Sequence, residues 1–397
     1  MRRRAPTLGA ETAGALVVGG DYQGLGIIRS LGRRGIPTCV IDDEHSIGRF
    51  SRYATYSCRV PGLRDDTAAV DAVLAAVQRF GLDGWVLYPT RDEHVAAFAL
   101  ARERLSEVLR VPTPPWDVVR WAYDKRNTYE LAERIGVPTP RWWLVDGVDG
   151  LEKVDGEPPW AIKPAIKDHF VYETKAKAWR ADSREELRQL VVRASGLVGP
   201  HEVLVQELIP GNGENQHAYC AFFREGEAVA SMVVERRRQH PPEFGRASTY
   251  VRTIESSRLE EWSCRLLREM DYYGLVEVEF KVDPRDGQPK LLDVNARTWG
   301  YHTLGACAGP DFSYLLYRDQ VGLLVAGDRA ALGRTWLRLA TDLPVGVLEI
   351  LRRQTRLRDY VRTLRTASTE AVFARDDPLP GLAEVALIPY LALRRGF

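Results

Sequence analysis

The stretch Gly274–Gly300, GLVEVEFKVDPRDGQPKLLDVNARTWG, constrains the chain most. It reads as two strands, LVEVEFKV and PKLLDVNAR, around a turn where Pro284 and the Asp286-Gly287 pair supply the geometry. In the first strand Glu277, Glu279 and Lys281 alternate with Val276, Val278, Phe280 and Val282. In the second, Leu291, Asp293, Asn295 and Arg297 are spaced to share one face. A five-residue loop, Pro284 to Gln288, sets Glu279 opposite Asp293. Two carboxylates at that separation repel, so the pattern asks for a cation between them. Hard oxygen donors favour Mg²⁺, which usually brings substrate phosphates with it, and Mn²⁺ suits the same donors. Asn295 adds a neutral oxygen, and Arg297 a planar cation shaped for phosphate or carboxylate. The plain alternative is a half-exposed hairpin with a charged outer face.

Composition narrows what such a hairpin can serve. A chain of 397 residues is expected to hold two to four domains. The 55 basic and 54 acidic residues leave a net charge of +1, so no global electrostatic drive toward nucleic acid or membrane is expected. Cys39, Cys58, Cys220, Cys264 and Cys307 are scattered without a CxxC spacing. That argues against a zinc site or a disulfide framework and for reduced thiols in a cytoplasm. The basic N-terminus MRRRAPTLGAETAG is not followed by an apolar segment, and no run reaches the roughly 18 apolar residues of a membrane helix.

Taken in order, ALVVGG, a helix over about Leu25–Arg34 and TCVID form a β-α-β unit. The turn GGDYQGLG is a weak dinucleotide signal, with Asp42 where a ribose-binding acid would stand. Further helix–strand alternation runs to Thr113-Pro114-Pro115, which predicts a doubly wound α/β domain over 1–115. Two helices then precede Gly136-Val137-Pro138, and the strands WAIKPA and VLVQELI follow. Between those strands lies a basic stretch with Lys167, His169, Lys175 and Lys177, then a capping box at Ser183 and Glu186. HAYCAFFREGEAVASMVVERRRQ predicts a hairpin turning at Glu225-Gly226. After Asp311 helical patterns dominate.

Several features recur in one order: Asp124-Lys125 before a helix, Ile162-Lys163-Pro164 at a strand end, Gln206-Glu207-Leu208-Ile209-Pro210-Gly211, Glu214, then Glu279 with Asp293-Val294-Asn295. Over about residues 15–325 this resembles the ATP-grasp superfamily, in its carbamoyl-phosphate-synthase-like and carboxylate–amine ligase branch. The resemblance implies a Rossmann-like pre-ATP-grasp domain (1–115) and a two-lobed ATP-grasp fold (116–205 and 206–325); residues 326–397 lie outside it and read as a helical extension. It implies that Lys125 and Lys163 contact ATP phosphates, with Lys175 of the basic loop assisting. Gln206, Glu207, Leu208 and Ile209 match the hinge that reads adenine through its backbone, and Glu214 the acid that holds the ribose. Glu279, Asp293 and Asn295 match the Mg²⁺ ligands, and Arg297 the arginine that stabilises the transferred phosphoryl group. Three positions depart from the pattern. The loop AIKDHFVYETKAKAW has no glycine, Asp293 stands where many relatives have Glu, and Ala296 where Pro is frequent.

The function implied is ligation: a carboxylate phosphorylated by ATP, then attacked by an amine, with ADP and phosphate released. A non-catalytic ATP-binding protein, a bicarbonate-using carboxylase or carbamoyl-phosphate enzyme, and a nicotinamide oxidoreductase built on the first domain are the alternatives. Arg236, Arg237 and Arg238 are candidates for recruiting an anionic substrate, against a charged strand edge as the plain reading. The apolar-basic residues 326–397 are expected to pack as helices on the second lobe, on a second subunit in a homodimer, or against an anionic membrane surface.

Overall fold

The computed structural model describes residues 13–166, 170, 173–174, 176–211, 213–241, 245 and 247–395. Its strands form three sheets. The first joins β1 (Ala15–Val18), β2 (Thr38–Asp42), β3 (Tyr56–Arg59) and β4 (Val86–Pro89), all parallel, in the order β3-β2-β1-β4. β1, β2 and β4 are buried throughout, which explains their unbroken apolar runs. The helices Tyr22–Gly32, Asp66–Phe80 and Asp92–Leu100 follow β1, β3 and β4. The second of these starts on an Asp65 cap and ends on Gly81 in the left-handed conformation.

Asp42 is fully buried and accepts from the Gly20 amide at 2.6 Å and from Arg91 at 2.7 Å. It anchors the β1 turn and has no exposed oxygen for a ribose. The nicotinamide alternative loses its one acidic residue on that ground.

The second sheet is antiparallel, with β5 (Trp142–Val145), β6 (Trp160–Pro164), β7 (Trp179–Ala181) and β8 (Val203–Glu207) ordered β5-β8-β6-β7. Helix Arg184–Val198 covers it through Leu187, Val191 and Ala194. Ser183 caps that helix by accepting from the Glu186 amide at 3.2 Å. The return arm of the expected capping box lands one residue early: Glu186 accepts from the Asp182 amide at 2.7 Å.

The third sheet holds β9 (Gln216–Arg224), β10 (Glu227–His240), β11 (Ala247–Ile254), β12 (Gly274–Val282), β13 (Pro289–Asn295), β14 (Thr335–Leu337) and β15 (Thr369–Glu370). Their order is β13-β12-β9-β10-β11-β14-β15. The β9–β10 turn falls at Glu225 and Gly226, both at positive φ (55° and 78°), as a two-residue hairpin of this kind requires. The tail is not helical throughout, as its periodicity led us to expect. Besides helices Leu339–Leu351, Leu357–Thr366 and Leu379–Arg395 it supplies β14 and β15, which continue the sheet beyond β11. A three-residue strand is too short to register as a pattern, and what holds it is the fully buried Trp336.

One apolar core joins the first sheet's helix, the third sheet and the tail, with Ile27, Phe222, Trp299 and Trp336 among its members. The N-terminal α/β unit is therefore packed onto the third sheet. All five cysteines are free thiols. Among the described residues no helix is long and apolar enough to cross a membrane.

Candidate active site

The β12–β13 hairpin sets Glu279 opposite Asp293, as its spacing predicts, but by a different route. The loop spans Asp283–Gln288, one residue longer than expected, because Val282 pairs with Pro289. A bulge restores the register: Phe280 pairs with Leu291 and Glu279 with Asp293, leaving Leu292 as the extra residue. The bulge reverses the alternation before it. Leu291 is buried in the apolar core with Val278 and Phe280, not beside Asp293 as expected, while Leu292 joins Asp293 on the opposite side.

That side faces a cleft of about 840 Å³, open to solvent, between the second and third sheets. Glu279 and Asp293 enter it from the hairpin, Lys125 and Lys163 from the opposite wall, and Gln206–Ile209 from the end of β8. Lys125 opens helix Lys125–Arg134, capped by Asp124, which accepts from the Arg126 amide at 2.9 Å. Its Nζ reaches Asp293 Oδ1 at 3.0 Å. Lys163, near the end of β6, donates to the Tyr129 hydroxyl at 2.7 Å, and Tyr129 donates in turn to the Leu292 carbonyl at 2.8 Å. Both lysines are more than nine-tenths buried. A buried ammonium is costly unless an anion faces it; Asp293 faces Lys125, and two ammonium groups in one cleft also suit a phosphate chain.

Sequence reasoning gave Lys281 and Glu277 no role and offered Arg236 only as one of three candidates for recruiting an anionic substrate; Lys281 and Arg236 line the cleft. Lys281, from β12, donates to the carbonyls of Ile209 and Gly211, each at 2.8 Å, and burial lowers its pKa to about 8. It ties the segment after β8 to the hairpin. Arg236 is buried, bonds Gln216 and lies 3.6 Å from Glu279. Glu277 sits beneath Glu279, bonded by the Tyr301 hydroxyl and by Asn295 Nδ2 at 3.0 Å. Burial first, and then the charge of Glu279, push its pKa up to about 7. The alternation that exposed Glu279 named Glu277 as well, and Lys281 after it.

The remaining predicted residues fall in different places. Asn295 holds both acids through Nδ2, at 3.0 Å to Glu277 and 3.1 Å to Glu279, while its Oδ1 accepts from Arg297 at 3.3 Å. It thus braces Glu279 from behind and does not line the cleft. Arg297 is gripped by both oxygens of Asp92, at 2.9 and 3.1 Å, where the first sheet's last helix begins. Glu207 takes Arg285 at 2.5 Å and the Leu208 amide donates to the Pro159 carbonyl at 3.1 Å, so that amide is not open to a base edge. Glu214 is exposed on the short turn Gly213–Asn215 and is not among the residues lining the cleft. Lys177 does line it, whereas Lys167, His169 and Lys175 lie outside the described residues.

The three arginines of β10 separate. Arg236 faces the cleft, Arg237 is exposed beside Glu235, and Arg238 is buried in a two-pronged pair with Asp342 at 2.8 and 2.9 Å. Arg238 therefore clasps the tail and does not recruit a substrate.

The residues fit a magnesium–nucleotide complex. Gln206 Nε2 is buried in the wall without a hydrogen-bond partner, as a donor awaiting a ligand acceptor would be. Five cations, Lys125, Lys163, Lys177, Arg236 and Lys281, line the cleft against Glu207, Glu279 and Asp293. Among the described residues no three His, Cys, Asp or Glu side chains form a complete metal shell. Two carboxylates are what Mg²⁺ needs when substrate phosphates and water supply the other oxygens.

No protein-family profile matches the chain. The D-aspartate ligase of Enterococcus faecium (strain Aus0004) is 24% identical over 297 residues, 71% of this chain and 70% of that one. The L-amino acid ligase of Bacillus licheniformis superposes with a TM-score of 0.61 at 17% identity, over 80% of this chain and 76% of its own. The biotin carboxylase domain of Hydrogenobacter thermophilus 2-oxoglutarate carboxylase, solved with MgADP and bicarbonate, does so with 0.63 at 16%, over 81% and 73%. The structural likenesses bear on the fold and the sequence likeness on the lineage. The acidic hairpin and the paired lysines facing one cleft thus accompany a sequence likeness to a D-aspartate ligase and a fold likeness to an L-amino acid ligase, in keeping with the resemblance of the motifs to the ATP-grasp superfamily.

Proposed function

We propose that the protein is an ATP-dependent ligase that joins a small-molecule carboxylate to an amine. The observation that carries this is the convergence of Glu279 and Asp293 with buried Lys125 and Lys163 on one cleft. In this reading residues 1–115 are the pre-ATP-grasp domain, 116–205 and 206–325 the two lobes, and 326–397 an extension sealed onto the second lobe. ATP lies with its base toward Gln206–Ile209, beside the open Gln206 amide. Lys125 and Lys163 neutralise its phosphates. Lys175 and Lys177 belong to the loop that we assign to covering them.

Glu279 and Asp293 are the residues that hold Mg²⁺, and Mn²⁺ can serve the same oxygens. Asn295 becomes a third ligand only by turning Oδ1 away from Arg297. The metal, when bound, neutralises charge on the phosphates. Arg297 offers its guanidinium to the phosphoryl group passing to the substrate carboxylate, and Asp92 fixes the plane in which it does so. Arg236, beside Glu279, is the cation we assign to the incoming carboxylate. The chemistry then consists of positioning and charge neutralisation, and no covalent enzyme nucleophile is needed. Five unpaired thiols fit a reducing, cytoplasmic setting.

The relatives named above include a D-aspartate ligase and an L-amino acid ligase, so the test is an ADP-release screen over D- and L-amino acids, each as acid and as amine. The expected result is release that requires both components and Mg²⁺. Tight ATP binding with no turnover across the pool would instead assign a binding protein.

A further inference from the structure

The tail carries a surface that the ligase reading leaves unused. Helix Leu339–Leu351 turns its Asp342, Val345 and Gly346 inward, against Arg238 and Tyr360. Its opposite face presents Leu343, Val347 and Leu351, at intervals of four residues, and the next helix, Leu357–Thr366, opens on exposed Leu357. These four side chains are 48%, 46%, 75% and 63% exposed. Arg352, Arg353 and Arg356 follow directly, exposed and without an ion pair among the described residues.

We propose that this face docks the protein on an anionic lipid bilayer. Apolar side chains on one stripe with guanidinium groups at its end match a surface that is apolar within and negative at its rim. The same charge argues against a second copy as the occupant. A second copy would answer the apolar stripe with its own but offers these guanidinium groups no anionic counterpart of the kind a lipid headgroup layer supplies. An isolated acidic partner protein would satisfy the arginines but not the exposed leucine and valine stripe. The docking is peripheral, since among the described residues no helix can span the bilayer.

The test is sedimentation of the full chain with vesicles of phosphatidylcholine alone and of phosphatidylcholine with phosphatidylglycerol, at low and high salt. Partition onto the phosphatidylglycerol vesicles only, weakened by salt, is expected. Leu351→Asp and the pair Arg352→Ser, Arg353→Ser each lower it by at least about tenfold. Because these side chains are exposed, melting temperature and nucleotide binding stay as in the parent and show that the variants are folded. No partition, or partition indifferent to these substitutions, overturns the proposal. So does an anionic preference that accompanies a dimer in solution which Leu351→Asp converts to monomer, for then the face is a self-association surface. ADP release is read separately, so loss of docking leaves the ligase reading untouched.

Discussion

Asp342→Asn destabilises the protein by about 3–5 kcal/mol, the range found when one member of a buried ion pair is removed. Asp342 is fully buried and accepts both prongs of Arg238 at 2.8 and 2.9 Å. It also accepts from the Thr249 hydroxyl at 2.8 Å and the Tyr360 hydroxyl at 3.2 Å. Arg238 is held over the rings of Tyr250 and Tyr360 at 4.6 and 5.1 Å, with the charge of Glu349 acting on it besides. The isosteric amide keeps the volume and deletes the charge, so the cost falls on an unpaired buried guanidinium. Urea unfolding is the measurement, with a lower midpoint at unchanged slope as the expected result. Replacing both partners at once, Arg238→Met with Asp342→Leu, recovers part of the loss, because two apolar groups leave no charge buried. An unchanged midpoint for Asp342→Asn would mean that the tail does not hold the third sheet.

The second large effect is catalytic. Arg297→Ala lowers turnover by roughly 10²–10³, the loss typical of one preorganised transition-state donor, with little change in the KM for ATP. The Asp92–Arg297 pair reaches from the first sheet to the end of β13, so the same step is sensitive to a residue outside the nucleotide cleft. Asp92→Asn keeps one acceptor for the guanidinium but loses the second, and with it the charge that orients the group. A fall in kcat of about tenfold is expected on the scale of second-layer residues, and Asp92→Glu restores part of it. Equal losses in both variants would place Asp92 among the groups that touch substrate.

How far the sequence carried depended on how local each device is. The acidic hairpin was legible because turn chemistry, alternation and carboxylates lie within 27 residues, Gly274 to Gly300. Even there the one-residue bulge at Leu292 was invisible, and it moved Leu291 into the core. Glu277 and Lys281 lay on the face already identified. Their roles depend on Tyr301 and on the Ile209 and Gly211 carbonyls, which no spacing reveals. Arg238 and Arg297 find their carboxylates 104 and 205 residues away in the chain, so nothing local could tell Arg238 from Arg236. Glu214 was chosen for its nearness to the hinge in sequence, and its turn carries it out to solvent. β14 and β15 are too short to print a period of two.

The central claim is that Glu279 and Asp293 form the metal–nucleotide site, and one comparison tests it most directly. ADP release is measured against Mg²⁺ concentration for the parent and for the Glu279→Gln, Asp293→Asn double variant, each with the melting temperature recorded. The account predicts a folded double variant whose Mg²⁺-dependent release falls by at least about 10³, on the scale of catalytic groups acting as a unit. Turnover that survives in the double variant, with the parent's dependence on Mg²⁺, would contradict it.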